Sequence, residues 1–264
     1  MSQVTSPFLQ SLRIQRRVLG ALLMREVITR FGRHNLGALW LIGEPMIFTL
    51  GVATVWSALG MRHGSGISII TFAITGYSSV LMWRNSVSHS ARAVNVNLQL
   101  LFHRNVKVVD VLLTRILLEI SGATGSFAVL GLLFTSLGFI PPPQDLLQVL
   151  GGWLMLAWFG IGLALTIGAL TAFSQVVERI WQPTAYLLFP LSGAAYLTDW
   201  LPMNLRSVLL WLPMVHGVEF MREGYFGAII HYHYDMAYMA KCNLFLSLTG
   251  MWFVREAGLK VEAE

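Results

Sequence analysis

Few side chains in this sequence are placed to do chemistry. His231 and His233 flank Tyr232 in the run HYHYD, a spacing from which two imidazoles can reach one metal ion. A solvated cluster at an interface is the better account, and the five other histidines are scattered along the chain. Two carboxylates fall within or at the edge of long apolar segments: Glu44, beside Pro45, and Glu119, four residues after Arg115. A charge in hydrocarbon is costly unless it is paired or reaches the surface. The i,i+4 spacing of Arg115 and Glu119 predicts an ion pair at the membrane edge. Glu44 fits two roles, a gating or path-lining position or a structural carboxylate, and Pro45 bends the helix or ends its first turn. The sequence has no GxxxxGK[ST], HExxH, CxxC or GxSxG run, so no ATP site, metal site or catalytic set of a familiar kind is expected and the chain does not read as an enzyme. Cys242 is the single cysteine, which excludes an intrachain disulfide, and it reads as a small apolar filler.

The elements that would hold these residues are set by hydrophobicity. Of 264 residues 55% are apolar and 12% charged, about half the charged share of a soluble domain. Residues 63–83, 120–144, 146–177 and 180–198 carry no charge at all. A helix needs roughly 20 mostly apolar residues to cross a bilayer, and several windows meet that length. Spans are expected near 36–60, 66–85, 115–139, 147–172 and 236–254, with a short fifth segment at 184–198 broken by Pro190 and Gly193. Pro141 to Asp145 form a turn, and 173–183 reads as a loop. The apolar pieces in 199–235 are interrupted by Pro202, Pro213, Gly217 and charges. They read as re-entrant or interfacial helices, which need their backbone groups satisfied by protein.

Residues 1–35 hold Arg13, Arg16, Arg17, Arg25, Arg30 and Arg33 among apolar positions that share a helical stripe. That is the pattern of a basic amphipathic helix lying in the interface, its arginines toward lipid headgroups. Arg92, Arg104, Lys107, Arg179, Arg255 and Lys260, with Arg84 and Arg115 at segment borders, fall on the same side as these arginines. Arg62, Arg206, Arg222 and Lys241 fall on the other. Basic residues accumulate on the cytoplasmic side, so both termini are expected there and the span count is even. The net charge of +5 follows this asymmetry and does not indicate nucleic acid. The stretch 101–115 mixes basic and apolar residues as a helix docking on another protein would.

LMREVITR at 23–30, FGRHNLGALWLIGEP at 31–45, LLFHRNVKVVDVLLTRILLE at 100–119 and LPMVHGVEFMREGYFG at 212–227 together resemble the membrane subunit of ABC-2 type polysaccharide exporters. The likeness is closest to the inner-membrane permeases for capsular polysaccharide of Gram-negative bacteria and runs from about residue 12 to 255. It implies an all-α polytopic protein with six transmembrane helices, an N-terminal amphipathic interface helix, and periplasmic-side re-entrant helices between spans five and six. The division would be a cytoplasmic N-terminus at 1–35, a transmembrane domain at 36–254 and a cytoplasmic tail at 255–264. It further implies a homodimer in the bacterial inner membrane, served by two copies of a cytoplasmic ATPase that bind ATP and magnesium, with no cofactor in this chain. Periplasmic and outer-membrane polysaccharide export proteins are further expected partners. Leu101, Phe102, His103, Arg104, Asn105, Lys107 and Asp110 would couple to the ATPase. Trp40, Trp56, Tyr186, Phe189 and Tyr196 are candidates to line the polysaccharide path, and Glu44, Pro45, Arg115 and Glu119 are structural or gating candidates. The alternatives are a permease for O-antigen or teichoic-acid type polymers, or an ion-coupled carrier, for which Glu44 is the one tempting group.

Overall fold

The computed structural model describes residues 7–31, 37–60, 67–101 and 106–263, and among these the regular structure is wholly helical. In order come α1 (Pro7–Phe31), α2 (Gly37–Ala58), α3 (Ile69–Val96), the single turn α4 (Leu98–Leu101), α5 (Val108–Ser136), α6 (Leu146–Leu170) and α7 (Gln175–Leu191). A 3-10 turn (Thr198–Trp200), α8 (Met203–Leu209), α9 (Pro213–Phe226) and α10 (Met236–Ala263) complete the chain. Among the described residues three stretches are long and apolar enough to cross a membrane: Leu39–Ala58, Val108–Ser136 and Leu146–Leu170. α3 and α10 have the length but carry charged residues, and α7 is short at 17 residues.

The core forms around α6, which packs on α3, α9 and α10. Its glycines allow this. A Cβ on Gly152 would lie 2.7 Å from Met221 Cβ of α9, and one on Gly160 would lie 3.1 Å from Trp83 Cα of α3. Without a driving force between apolar helices in lipid, backbone approach at small residues supplies the van der Waals contact that holds them together. α2 and α7 are held more loosely. Leu39, Trp40, Ile47, Phe48 and Val55 of α2 are exposed, and on α7 only Trp181 and Ala185 are buried. Pro45 lies inside α2. It has no N–H to donate to Leu41 O one turn back, and Gly122 of α5 packs against that same carbonyl.

Three local expectations are corrected, and the structure of the tail is added to them. The second span, expected to end near 85, runs on as helix: α3 continues to Val96 because Ser86, Val87, Ser90, Ala91, Ala93 and Val94 bury a face against its neighbours. Its polarity is absorbed locally, with Ser86 Oγ donating to Met82 O at 2.7 Å. The expected loop at 173–183 is the start of α7, whose first turn is capped by Ser174 Oγ accepting from Val176 N at 3.3 Å. The tail beyond 254 is helical to Ala263, and Lys260 Nζ donates to Ala172 O at 3.0 Å just past the end of α6. No single helix covers 101–115: α4 ends at Leu101 and α5 begins at Val108, running on as one of the long apolar helices. Phe102, His103, Arg104 and Asn105 lie outside the described residues, as does the expected boundary at 35–36.

Gly152→Val is expected to destabilise the protein by about 1–3 kcal/mol through overpacking at α9. Gly131→Val, where a Cβ meets nothing within 4 Å, is expected to be nearly neutral. Thermal unfolding of the purified protein in detergent checks the contrast.

Candidate functional site

Polar side chains gather at the two ends of the bundle, and a row of aromatic side chains runs between them. At the end carrying α1, that helix docks through its charges. Arg30 pairs with Glu119 of α5, and its Nη2 lies 3.3 Å from Glu44 Oε2 of α2. His89 Nδ1 of α3 lies 3.1 Å from Glu119 Oε1 and donates to Asn85 O at 3.0 Å. One turn of α1 earlier, Glu26 pairs with Arg115 of α5, and Arg25 Nη1 donates to Asn97 Oδ1 at 3.0 Å. Gln15 Nε2 donates to Asp110 Oδ1 at 3.3 Å, while Asp110 Oδ2 accepts the Lys107 N–H at 3.0 Å.

This overturns the expected Arg115–Glu119 pair. Both residues pair instead with α1, because that helix crosses the ends of α3 and α5 and brings an opposite charge to each. Arg25, Glu26 and Arg30 thus serve protein contacts where arginines toward lipid headgroups were expected. Glu44 is a partner of Arg30 in this network, and Glu119 is only 7% exposed. Pairing in this environment matters because removing one member leaves the other desolvated and alone.

At the opposite end the centre is Arg222 of α9, fully buried. Its Nη1 donates to Gly193 O at 2.6 Å and Tyr196 O at 2.8 Å, and its Nη2 donates to Ala194 O at 2.6 Å. The guanidinium carbon stands 3.7 Å from the Phe72 ring centroid. These carbonyls follow the end of α7, where Gly193 takes φ +82°, so they have no helical partner. Gly76 of α3 sits against Ala194 O and Arg222 Nη2 with no room for a side chain. Glu219, also fully buried, accepts from Thr198 Oγ1 at 2.9 Å and Thr198 N at 3.2 Å. Arg206 of α8 donates through Nε to Thr198 O and through Nη1 to His233 Nε2, both at 3.0 Å.

His233 is therefore an acceptor for an arginine, and no group of three potential metal ligands occurs among the described residues. His216 donates from Nε2 to Leu210 O and accepts the Asp235 N–H at Nδ1, both at 2.8 Å. Those two bonds fix its neutral tautomer. Asp235 accepts the Tyr238 N–H at 2.9 Å, which holds its carboxyl below the usual carboxylate range. Burial, with the Glu223 carboxylate beside it, pushes the Tyr234 phenol up to about 12.

Beside Arg222, Trp56, Phe72 and Trp200 form an aromatic group, with Phe72 and Trp200 stacked at 5.6 Å and Trp56 6.3 Å from Phe72. Phe189 meets Tyr77 edge to face at 5.3 Å. Tyr186, 69% exposed, lies beneath Arg84, and Tyr196 donates its hydroxyl to Leu191 O at 2.8 Å. Trp40 is exposed on α2 and lies outside this row. Leu101 and Lys107, with Arg255 of α10, border an apolar groove of about 360 Å³ at the α1 end.

Sequence reading missed Arg222, Glu219, Arg84 and Gly76 as a set. The signal was available in part: Glu219 and Arg222 stand at i,i+3 within an otherwise apolar run, so they share a face.

The described residues thus form a helical bundle with a charged helix laid across one end and aromatic side chains packed along its length. The chain belongs to the ABC-2 type transporter family, whose sequence pattern matches residues 17–226. It is 40% identical over 257 residues to the capsule polysaccharide export inner-membrane protein CtrC of Neisseria meningitidis, with 97% of each chain covered. It is 38% identical over the same length and coverage to the corresponding protein BexB of Haemophilus influenzae. The polysialic acid transport protein KpsM of Escherichia coli is 28% identical over 92% of this chain and 94% of its own.

Arg222→Met is expected to cost about 3 kcal/mol or more, since it strands buried carbonyls. Arg222→Lys should recover only part of this, because an ammonium cannot reproduce the planar fork. Thermal unfolding of the two variants tests the order. At the other end, Arg30→Ala and Glu119→Ala should be strongly non-additive in a double-mutant cycle, as expected for groups sharing one network.

Proposed function

We propose that this protein is the channel-forming subunit of an ATP-driven exporter that carries capsular polysaccharide across the bacterial inner membrane. The observation that carries this reading is its near full-length similarity to capsule polysaccharide export proteins of two genera. Two copies form one channel, each with six spans supplied by α2, α3, α5, α6, α7 and α10. α8 and α9 lie at the periplasmic side and α1 in the cytoplasmic interface, with both termini in the cytoplasm. The transmembrane domain covers 36–254, and the tail from 255 to 264 continues α10 into the cytoplasm.

The chain has no phosphate-binding loop, so two separate ATPase subunits supply the work and hold ATP and magnesium. They dock at 101–112, where Leu101, Lys107 and Asp110 join the end of α5 to the α1 network. Motion of that segment reaches α2 through Arg30 and Glu44, since a driven cycle needs elements with two arrangements. The loosely packed α2 and α7 are suited to move. Their aromatic side chains, Trp40, Trp56, Tyr186 and Phe189, together with Tyr196 just beyond α7, offer broad faces to sugar rings without demanding one geometry. Periplasmic export proteins receive the polymer at the Arg222 end.

Deleting the gene should leave polymer inside the cell and none on the surface, measured by fractionation. Normal surface polymer in a strain without a substitute permease would refute the export reading. Leu101→Cys and Lys107→Cys are expected to crosslink to cysteines introduced in the ATPase in active complexes. Reproducible absence of crosslinks would place the docking surface elsewhere.

A further inference from the structure

The seam between α3 and α7 pairs its side chains in sequence order. Nearest the α1 end, Arg92 Nε lies 3.8 Å from Glu178 Oε1. Next, Trp181 Nε1 donates to Ser88 Oγ at 3.0 Å. Then the Arg84 guanidinium stands 5.7 Å from the Tyr186 ring centroid, followed by Tyr77 against Phe189 and Phe72 beneath Arg222. Arg92 has a carboxylate and Arg222 has three close carbonyls. Arg84, partly buried, makes no hydrogen bond or ion pair among the described residues.

Arg84 lies about 12 Å along the helix from Arg92, at 1.5 Å per residue. Side chains on a helix tilt toward its N-terminus, which for α3 is the Arg222 end. The contact with Tyr186, one turn beyond Trp181 on α7, matches that direction. A cation on a helix read as a membrane span persists where a cavity or a partner compensates it. The Tyr186 ring beneath it is mostly exposed, so the pair presents a fork of donors and an aromatic face side by side.

We propose that Arg84 and Tyr186 form a binding site for an anionic group on a sugar, a carboxylate or phosphodiester carried by the polymer in transit. The guanidinium gives bidentate, charge-assisted hydrogen bonds to the anion, and the Tyr186 ring packs on the adjoining sugar face. The site rests on the export reading and narrows its substrate to an acidic polymer. A phospholipid phosphate offers the same chemistry, so the test separates the two sources.

The test uses the complete permease–ATPase complex in nanodiscs. A fluorescent oligosaccharide of a uronic or sialic acid is titrated, and its carboxyl-reduced neutral counterpart is titrated beside it. Arg84→Gln should weaken the acidic ligand about tenfold, the loss of one charged hydrogen-bonding partner, and leave the neutral one unchanged. Arg84→Lys should retain part of the affinity. Tyr186→Leu should weaken both ligands. Arg92→Gln, on the same seam but already paired, should change neither. Unchanged acidic binding in Arg84→Gln would overturn the site. Repeating the titration in phosphatidylcholine and in phosphatidylglycerol nanodiscs identifies the source of the anion. If wild-type and Arg84→Gln differ only in phosphatidylglycerol binding, the anion is a lipid phosphate and the polymer site is overturned. Efficient disulfide formation between two copies of Tyr186→Cys in the resting complex would assign the ring to a subunit contact and equally overturn the polymer site. Failure of wild-type complex to bind either oligosaccharide would count against the export reading itself.

Discussion

The most constraining interaction in this molecule is the buried guanidinium of Arg222. α7 is short and ends at a glycine with a positive φ, so the following carbonyls point into the bundle without helical donors. In a low-dielectric setting each such group is expensive. One planar cation answers three of them at once, and the Phe72 ring covers its face. Gly76 must then be bare for the turn to approach α3. The end of α7, the start of α3 and the middle of α9 are thereby fixed by one side chain.

The other end is organised on a different principle. α1 holds to the bundle through Arg25, Glu26 and Arg30, which meet Asn97, Arg115, Glu44 and Glu119. Those partners sit on α2, at the end of α3 and on α5, so one helix ties three elements together at this end. Between the two ends α6 supplies rigidity through glycine contacts, whereas α2 and α7 leave much of their surface uncovered. The fold thus combines a stiff centre with two lightly held helices, and the aromatic row lies along the latter.

The long apolar helices were legible because their signal is local: charge-free windows of the right length located α5 and α6 to within a few residues at most boundaries. α3 was cut short because serines, a histidine and an asparagine look like a loop when counted. They face other helices, and hydroxyls such as that of Ser86 return to the backbone one turn back. The partners of Arg115 and Glu119 were misread for a related reason. Spacing within one helix suggests the nearest opposite charge, yet Glu26 and Arg30 arrive from a helix nearly ninety residues earlier. The segment 199–235 was legible as broken and apolar, but Arg222 counted there only as one more basic residue outside the spans. Its role depends on carbonyls whose orphaning comes from the backbone turn at Gly193.

The fastening at Arg222 also bears on how the protein is made. Translation delivers α3 and α7 first, with the carbonyls of Gly193, Ala194 and Tyr196 already emerged, while their donor lies some thirty residues downstream. Domains of a chain fold in the order of synthesis, and during that interval these three carbonyls lack the donor that holds them in the folded protein. Assembly of this end is therefore a late event, completed once α9 arrives. A ribosome stalled before that point would leave a nascent chain with most of its helices inserted and one end still open.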